Sequence, residues 1–302
     1  MAVITTGSAP KSLWPGIHSW WGQNYNEHGM ECYDLFDFRP SDKAYEEIVE
    51  VIGFGLAPEK EQGTSIQYAD WRQGAVNRFT NRAYALGFIV TYEEMKDNLY
   101  EELVMQRTQR LAFSGRTTKE IVAANVYNRG FNTNFTFGDG KALIVTDHPT
   151  DDGTQSNRLA VDADLSEQSL EDLVIQISNA KDAAGLQIAL RPQTLHIPTQ
   201  LQFVAERILG SVLQNDSANN AINALKAMGS IPGGWKMNHY FSDTDAWFVR
   251  TDTVDGMVAF QREEMDYAED NDFDTKNMKY AFYERWVPGV GDFRGIYGSQ
   301  GA

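Results

Sequence analysis

Asp270, Asp272 and Asp274 recur at the spacing of the first three oxygen ligands of a calcium loop. Counting on from Asp270, the sixth position is Thr275, where the sharp turn needs glycine, and the twelfth is Ala281, where a bidentate glutamate is needed. The match fails. Gly138, Gly140 and Lys141 suggest a phosphate loop, but Ala142 stands where a serine or threonine would hold magnesium. Gly289 and Gly291 lack the third glycine of a dinucleotide site. The five histidines, His18, His28, His148, His196 and His239, show no metal-ligand spacing, and each reads as a satisfied structural side chain. Cys32 carries no flanking nucleophile signature and reads as a small buried hydrophobe. With 42 acidic residues, a pair such as Glu263 and Glu264 arises by chance and says nothing of glycosidase chemistry. No catalytic set, cofactor or metal is expected.

Composition narrows the classes further. At 302 residues the chain can bury a full core and is near the size at which chains divide into domains. Its 42% hydrophobic and 23% charged content is that of an ordinary soluble globular protein. Aromatic content of 12%, with seven Trp, is high, and aromatics serve interfaces as well as cores. A formal charge of −16 argues against a surface built to hold nucleic acid or an anionic membrane. It fits a wall that must not stick to DNA, and it also fits many soluble enzymes. A single cysteine excludes an internal disulfide and fits a reducing compartment. The opening MAVITTGSAPKSLW lacks the apolar core of a signal peptide, and no apolar run approaches the roughly 18 residues of a membrane span. A soluble, cytosolic chain is expected.

The elements that would position any site hang on residues 92–128. Thr91 and Glu94 have the spacing of a capping box. Tyr92, Met95, Leu99 and Leu103 then recur on one helical face, the expected packing stripe of a spine helix, with Glu101, Glu102 and later Lys119 toward solvent. Gly115 costs about 1 kcal/mol against alanine, and Thr117 with Glu120 offers a second capping box. Either one helix bends there or two abut. If continuous, the rod would be about 55 Å long.

Ahead of this rod, residues 1–44 read as an arm, with Trp14, Trp20, Trp21, Tyr25, Tyr33, Phe36 and Phe38 set among Gly, Pro and Asn without a period. It either packs irregularly on its own domain or covers a neighbouring subunit. Residues 45–90 read as a long hairpin turning over Pro58, Glu59, Lys60, Glu61, Gln62 and Gly63, returning through Tyr68, Trp71, Val76 and Phe79, and ending in the alternating Tyr84, Leu86, Phe88 and Val90. A hairpin with few local partners is marginal alone, so it is expected to lean on another chain, an ordinary hairpin within one domain being the plain alternative. Trp14, Trp20, Trp21, Pro58, Glu59, Lys60, Glu61 and Trp71 are the candidate assembly contacts.

Beyond the rod, the sequence predicts a short strand over 143–145 and a helix capped by Ser166 that runs to 184 and is closed by Gly185. A strand over 193–197, a helix over 201–212 and a shorter helix over 221–228 closed by Gly229 follow. Alternation at Met237, His239 and Phe241, and at Trp247 and Val249, reads as strand, as do the stretch from Val258 and the row Met278, Tyr280 and Phe282. Strands and helices mixed without a regular βαβ repeat predict an α+β fold.

Several blocks carry a family likeness in order along the chain. YALGFIVTYEEMKDNLY at 84–100 resembles the strand-to-helix entry of Mu-like phage major head subunits, and TKEIVAANVYNRGF at 118–131 the end of their long helix. DGKALIVTDHPTDDGTQSN at 139–157, GLQIALRPQTLHIPTQLQFVAERIL at 185–209 and DTDAWFVRTDTVDGMVAFQRE at 243–263 are similar to the segments that follow, and KYAFYERWVPGVGDFRGIYGS at 279–299 to the last strand and tail. The resemblance implies a tailed-phage major capsid protein of the HK-97-like fold. It implies an N-terminal arm over 1–44, an extended loop over 45–90, a peripheral domain over 91–139 and 252–285 with the spine helix, and an axial domain over 140–251 and 286–302. It implies homo-pentamers and homo-hexamers tiling an icosahedral shell around packaged double-stranded DNA without sequence-specific binding. Scaffolding, portal and decoration proteins would be further partners, and assembly would take place in the host cytoplasm. An encapsulin-like nanocompartment shares the fold and holds protein cargo. A soluble hydrolase would need a catalytic constellation, and a carbohydrate-binding module leaves the long helix unexplained.

Overall fold

The structure is a computed structural model that describes residues 21–22, 25, 29–96, 100–214 and 221–302, with the backbone alone for Met95 and residues 100–103. A short helix α1 (Cys32–Leu35) leads into β1 (Asp37–Pro40), then the pair β2 (Tyr45–Ile52) and β3 (Arg72–Thr80), then β4 (Arg82–Val90). Helices α2 (Tyr92–Lys96) and α3 (Tyr100–Asn128) come next. The small hairpin β5 (His148–Thr150) and β6 (Gly153–Gln155) precedes α4 (Glu167–Ser178), β7 (Pro192–Pro198), α5 (Gln202–Gly210) and α6 (Ala224–Met228). The chain closes with β8 (Trp235–Asn238), β9 (Trp247–Thr251), β10 (Met257–Asn271), β11 (Met278–Val290) and β12 (Ile296–Ser299).

These strands make two four-stranded sheets, ordered β1-β10-β11-β4 and β12-β9-β7-β8. In β11 alternate residues Met278, Tyr280, Phe282, Glu284 and Trp286 are all buried, the period-two signature of a strand with one covered face. Val104, Leu111 and Ala112 of α3 share a cluster with Tyr267, Tyr280 and Phe282 of that sheet. Farther along α3, Ala123 and Tyr127 pack with Met257, Ala259 and Trp286 of the first sheet and with Phe248 of the second. One helix thus serves both sheets. The second sheet is covered by α4, α5 and α6 around Leu170, Leu173, Ile177, Leu195, Ala205 and Trp247.

The first capping box forms: Glu94 N–H donates to Thr91 Oγ1, and Thr91 N–H to Glu94 Oε2, each at 3.3 Å. The second does not, because α3 is continuous from Tyr100 to Asn128. Gly115 lies inside it, against the sheet: a Cβ there would come 3.0 Å from Met265 Cε and 3.3 Å from Phe282 Cε1. The glycine sets how closely helix and sheet approach. Thr118 Oγ1 donates back to Ser114 O, and Glu120 turns to the arm. Lys119, expected in solvent, is 3% exposed and points at β11.

Other expectations shift for local reasons. Residues 143–145 form no strand: the Val145 amide donates to Asn157 Oδ1, the Leu143 carbonyl accepts from Asn157 Nδ2, and the Ile144 amide donates to Gly130 O. The helix α4 stops at Ser178, with Ser166 and Ser169 capping each other at its start. Gly185, at φ 88°, turns the bridge between Lys181 and Gln187 rather than ending the helix. Gly229 closes α6 in the left-handed conformation as expected. Phe241 lies outside any strand, and the tail adds β12 beside β9.

The described part of the arm packs on its own chain. Cys32, Leu35 and Phe36 are buried beside Ala123 and Tyr127, and β1 runs parallel to β10. Trp21 is 4% exposed and stacks on Tyr267 at 4.9 Å and Phe282 at 5.9 Å. Its expected role as an inter-subunit contact is thereby corrected: the ring is already used at home. Trp14, Trp20 and Leu99 lie outside the described residues, as do the side chains of Met95 and Leu103.

Candidate assembly surfaces

The pair β2–β3 stands as a separate two-stranded ladder from Tyr45↔Thr80 to Ile52↔Arg72. It is pinned from mid-ladder to its far end by polar contacts. Asn77 Nδ2 donates to Gly291 O at 2.8 Å, Arg294 Nη1 donates to Glu50 Oε1 at 3.2 Å, and Arg72 pairs with Asp151. Gly138 lets the ladder seat closely, since a Cβ there would fall 2.2 Å from Asn77 Oδ1. The extended segment expected over 45–90 is divided at Asn81, because β4 hydrogen-bonds to β11 from Arg82↔Trp286 to Val90↔Met278.

Between β2 and β3, residues 53–71 carry no strand and are all exposed. Pro58, Glu59, Lys60 and Glu61 lie here, followed by a turn in which Thr64 donates to Glu61 O from both its amide and its hydroxyl. Phe54, Leu56, Ile66, Tyr68 and Trp71 are exposed with them, Tyr68 at 94%. An apolar set of this size on a projecting segment is the signature of a surface meant to be covered. Trp71 and the charged turn were among the candidate contacts read from the sequence; Phe54, Leu56 and Ile66, exposed beside them, were not.

Two further exposed apolar sites were not anticipated. Phe273, 92% exposed, tops the β10–β11 hairpin. Phe203, Val212, Ile222 and Met228 lie exposed on and around α5 and α6.

Buried polar groups hold the arm and spine in place. Lys119 Nζ meets Glu284 Oε1 at 2.5 Å and Gln261 Oε1 at 3.0 Å, and lies 5.3 Å from the ring centres of Trp286 and Phe38. Glu120 Oε1 accepts from the Glu31 amide at 2.8 Å, and Glu31 in turn pairs with His239. Burial pushes the Glu120 carboxyl up to about 7. His148 is buried between Asp139 at 2.5 Å and Asn157, and stacks on Phe293. His196 bonds Thr194 Oγ1 through Nε2 at 2.9 Å, and burial drives its pKa down to about 3. His18 and His28 lie outside the described residues. Asp272 pairs with Lys279, and Lys141 with Asp147, so neither the aspartate run nor the glycine loop presents a ligand-ready cluster. Among the described residues no group of His, Cys, Asp and Glu could hold a metal, and no helix is long and apolar enough to cross a membrane.

A family model described as phage capsid protein matches residues 79–299. The chain belongs to the phage capsid protein family. Its fold is the HK-97-like fold of that family, seen in three solved structures. A Mycobacterium phage Patience structure matches at 14% identity and TM-score 0.55, over 95% of this chain and 86% of that one. The virus-like particle from Pyrococcus furiosus matches at 11% and 0.54, over 94% and 98%. A Microbacterium phage Oxtober96 structure matches at 10% and 0.53, over 91% and 92%. No curated protein matches. Membership of the phage capsid protein family implies a structural, non-enzymatic role. The family match starts at residue 79, so the arm and the projecting 53–71 segment lie outside it.

Proposed function

We propose that this capsid-family chain is the major head subunit of a tailed double-stranded DNA phage or prophage, of the Mu-like kind. Copies join as pentamers and hexamers into a closed icosahedral shell. The observation that carries this reading is the apolar segment 53–71 projecting from a pinned ladder, with Tyr68 and Trp71 uncovered by their own chain. Such a segment gains by burying its surface on a neighbour, and a head-to-tail contact of that kind forms a ring when its rotation closes. Residues 1–44 act as the arm, 45–80 as the extended loop, the first sheet with α3 as the peripheral domain and the second sheet as the axial domain. The net charge of −16 suits an inner wall along which packaged DNA slides without sequence-specific contacts. Scaffolding, portal and decoration proteins complete the particle in the host cytoplasm.

Sedimentation and electron microscopy of the full chain, alone and with its scaffold, test the reading. Rings or closed shells are expected. A compact monomer at high concentration with scaffold present would overturn it, and particles filled with protein cargo would replace it with the nanocompartment reading.

A further inference from the structure

The β10–β11 hairpin ends in Asp272-Phe273-Asp274, an exposed ring between two carboxylates. Asp272 is paired with Lys279, whereas Asp270 and Asp274 have no ion-pair partner among the described residues. Beside this corner, on the other side of β4, lies an open groove of about 420 Å³ between β4 and α3. Its apolar wall is Leu86, Phe88 and Leu111, and its rim holds Arg107 and Arg110. Arg107 is committed to Glu94 at 3.1 Å, but Arg110 is exposed and has no ion pair among the described residues.

Knob and groove sit at the same end of the first sheet. Val90 pairs with Met278 next to the hairpin end, and Leu86 pairs with Phe282 four residues along, roughly 13 Å at the rise of a strand. The two cannot meet within one chain, because both are fixed to one rigid ladder. They are complementary nonetheless: an acid-flanked ring faces an apolar slot with an unpaired guanidinium.

We propose that Phe273 of one copy inserts into the β4–α3 groove of a second copy, with Asp274 meeting Arg110. The partner is this same chain: among the described residues the hairpin tip offers unpaired carboxylates and the groove an unpaired guanidinium, so the two match in charge as well as shape. The contact involves neither the projecting 53–71 segment nor the arm. It rests on the shell-forming reading and adds a second, independent joint at the hairpin corner.

Mixing equal amounts of Phe273→Cys and Leu86→Cys subunits under oxidising conditions, after assembly, tests it by peptide mass spectrometry. A disulfide joining the two introduced cysteines across different copies is expected. Arg110→Glu should raise the concentration needed for assembly at least about fivefold, and Asp274→Arg in the same chain should restore much of the loss. Circular dichroism of the unassembled variants checks that they fold, and these surface sites leave the core untouched. If the parent assembles but a Leu56→Cys subunit crosslinks to Leu86→Cys while Phe273→Cys does not, the groove holds the extended segment and the proposal falls. Assembly with no crosslink to the groove also overturns it. A parent that never assembles overturns the shell reading itself, which separates the two failures.

Discussion

Lys119 on α3 and Glu284 on β11 meet at 2.5 Å, with side chains 4% and 1% exposed, inside the face where spine and sheet pack. Gln261 Nε2 also donates to Glu284 Oε1 at 2.9 Å, so the carboxylate has two donors in a layer otherwise made of rings and aliphatic chains. Removing one partner strands the other charge out of water. Lys119→Met or Glu284→Gln is expected to cost about 3–5 kcal/mol in urea melts of unassembled subunits, while a paired apolar replacement costs less. Losses within about 0.5 kcal/mol for both single variants would show that the pair is solvated in solution.

The tryptophans divide by exposure. Trp21→Ala should destabilise the unassembled subunit by about 3–5 kcal/mol, because it empties a stack against Tyr267 and Phe282. Trp71→Ala should change the same melt by less than about 0.5 kcal/mol and instead reduce assembly measured by light scattering. A Trp71 variant that melts early but assembles normally would place that ring in a core.

Two buried groups pull stability in opposite directions with pH. Glu120 is raised to about 7 from 4.5, chiefly by burial, with Glu31 adding repulsion. Its contribution is complete below pH 4.5 and is lost as pH rises through about 7. His196 is depressed from 6.5 to about 3, again by burial, with Arg250 and Lys236 adding repulsion. Its contribution is complete above 6.5 and is lost as pH falls toward 3. Across the shared window the slopes offset. Glu120→Gln should therefore expose a rise in stability from pH 4.5 to 6.5, and His196→Gln a fall, each of about 1–3 kcal/mol in denaturant midpoints scanned against pH. Parallel curves for parent and both variants would reject the assignment.

At Gly115 helix propensity and packing compete. Alanine gains about 1 kcal/mol of propensity but crowds Met265, whose thioether end can give way. Gly115→Ala should be close to neutral in thermal melts, and Gly115→Val should cost about 1–3 kcal/mol through overpacking. A stabilising valine would mean that helix and sheet stand farther apart.

Much of the fold was legible because its signals are local. The Thr91–Glu94 box, the Ser166 cap and the Gly229 stop each need only neighbouring residues, and all three form. The α+β class followed from strands and helices mixed without a regular βαβ repeat, and the capsid family from ordered blocks rather than from any one motif. What failed depended on partners far along the chain. Lys119 looked solvated because its neighbours on α3 are polar, and only Glu284, distant in sequence, makes it a core residue. Trp21 looked unburied because its ring partners lie on β10 and β11. Tyr84, Leu86, Phe88 and Val90 were read correctly as a strand but attached to the wrong ladder, since alternation reports a covered face and not who covers it.

Besides the crossing through α3, the backbone passes between the two sheets at β9–β10 and again at β11–β12, and these two passes touch at Gly256 and Gly295, where a Cβ on either would come within 2.7 Å of the other's Cα. A lone connection would let the halves swivel about a single pivot. Two connections side by side, pressed together at glycines with no side chain between them, resist torsion and share tension. When pressure from within pushes outward on such a subunit, it should stretch as one piece, and any give in the shell should come from the joints between subunits.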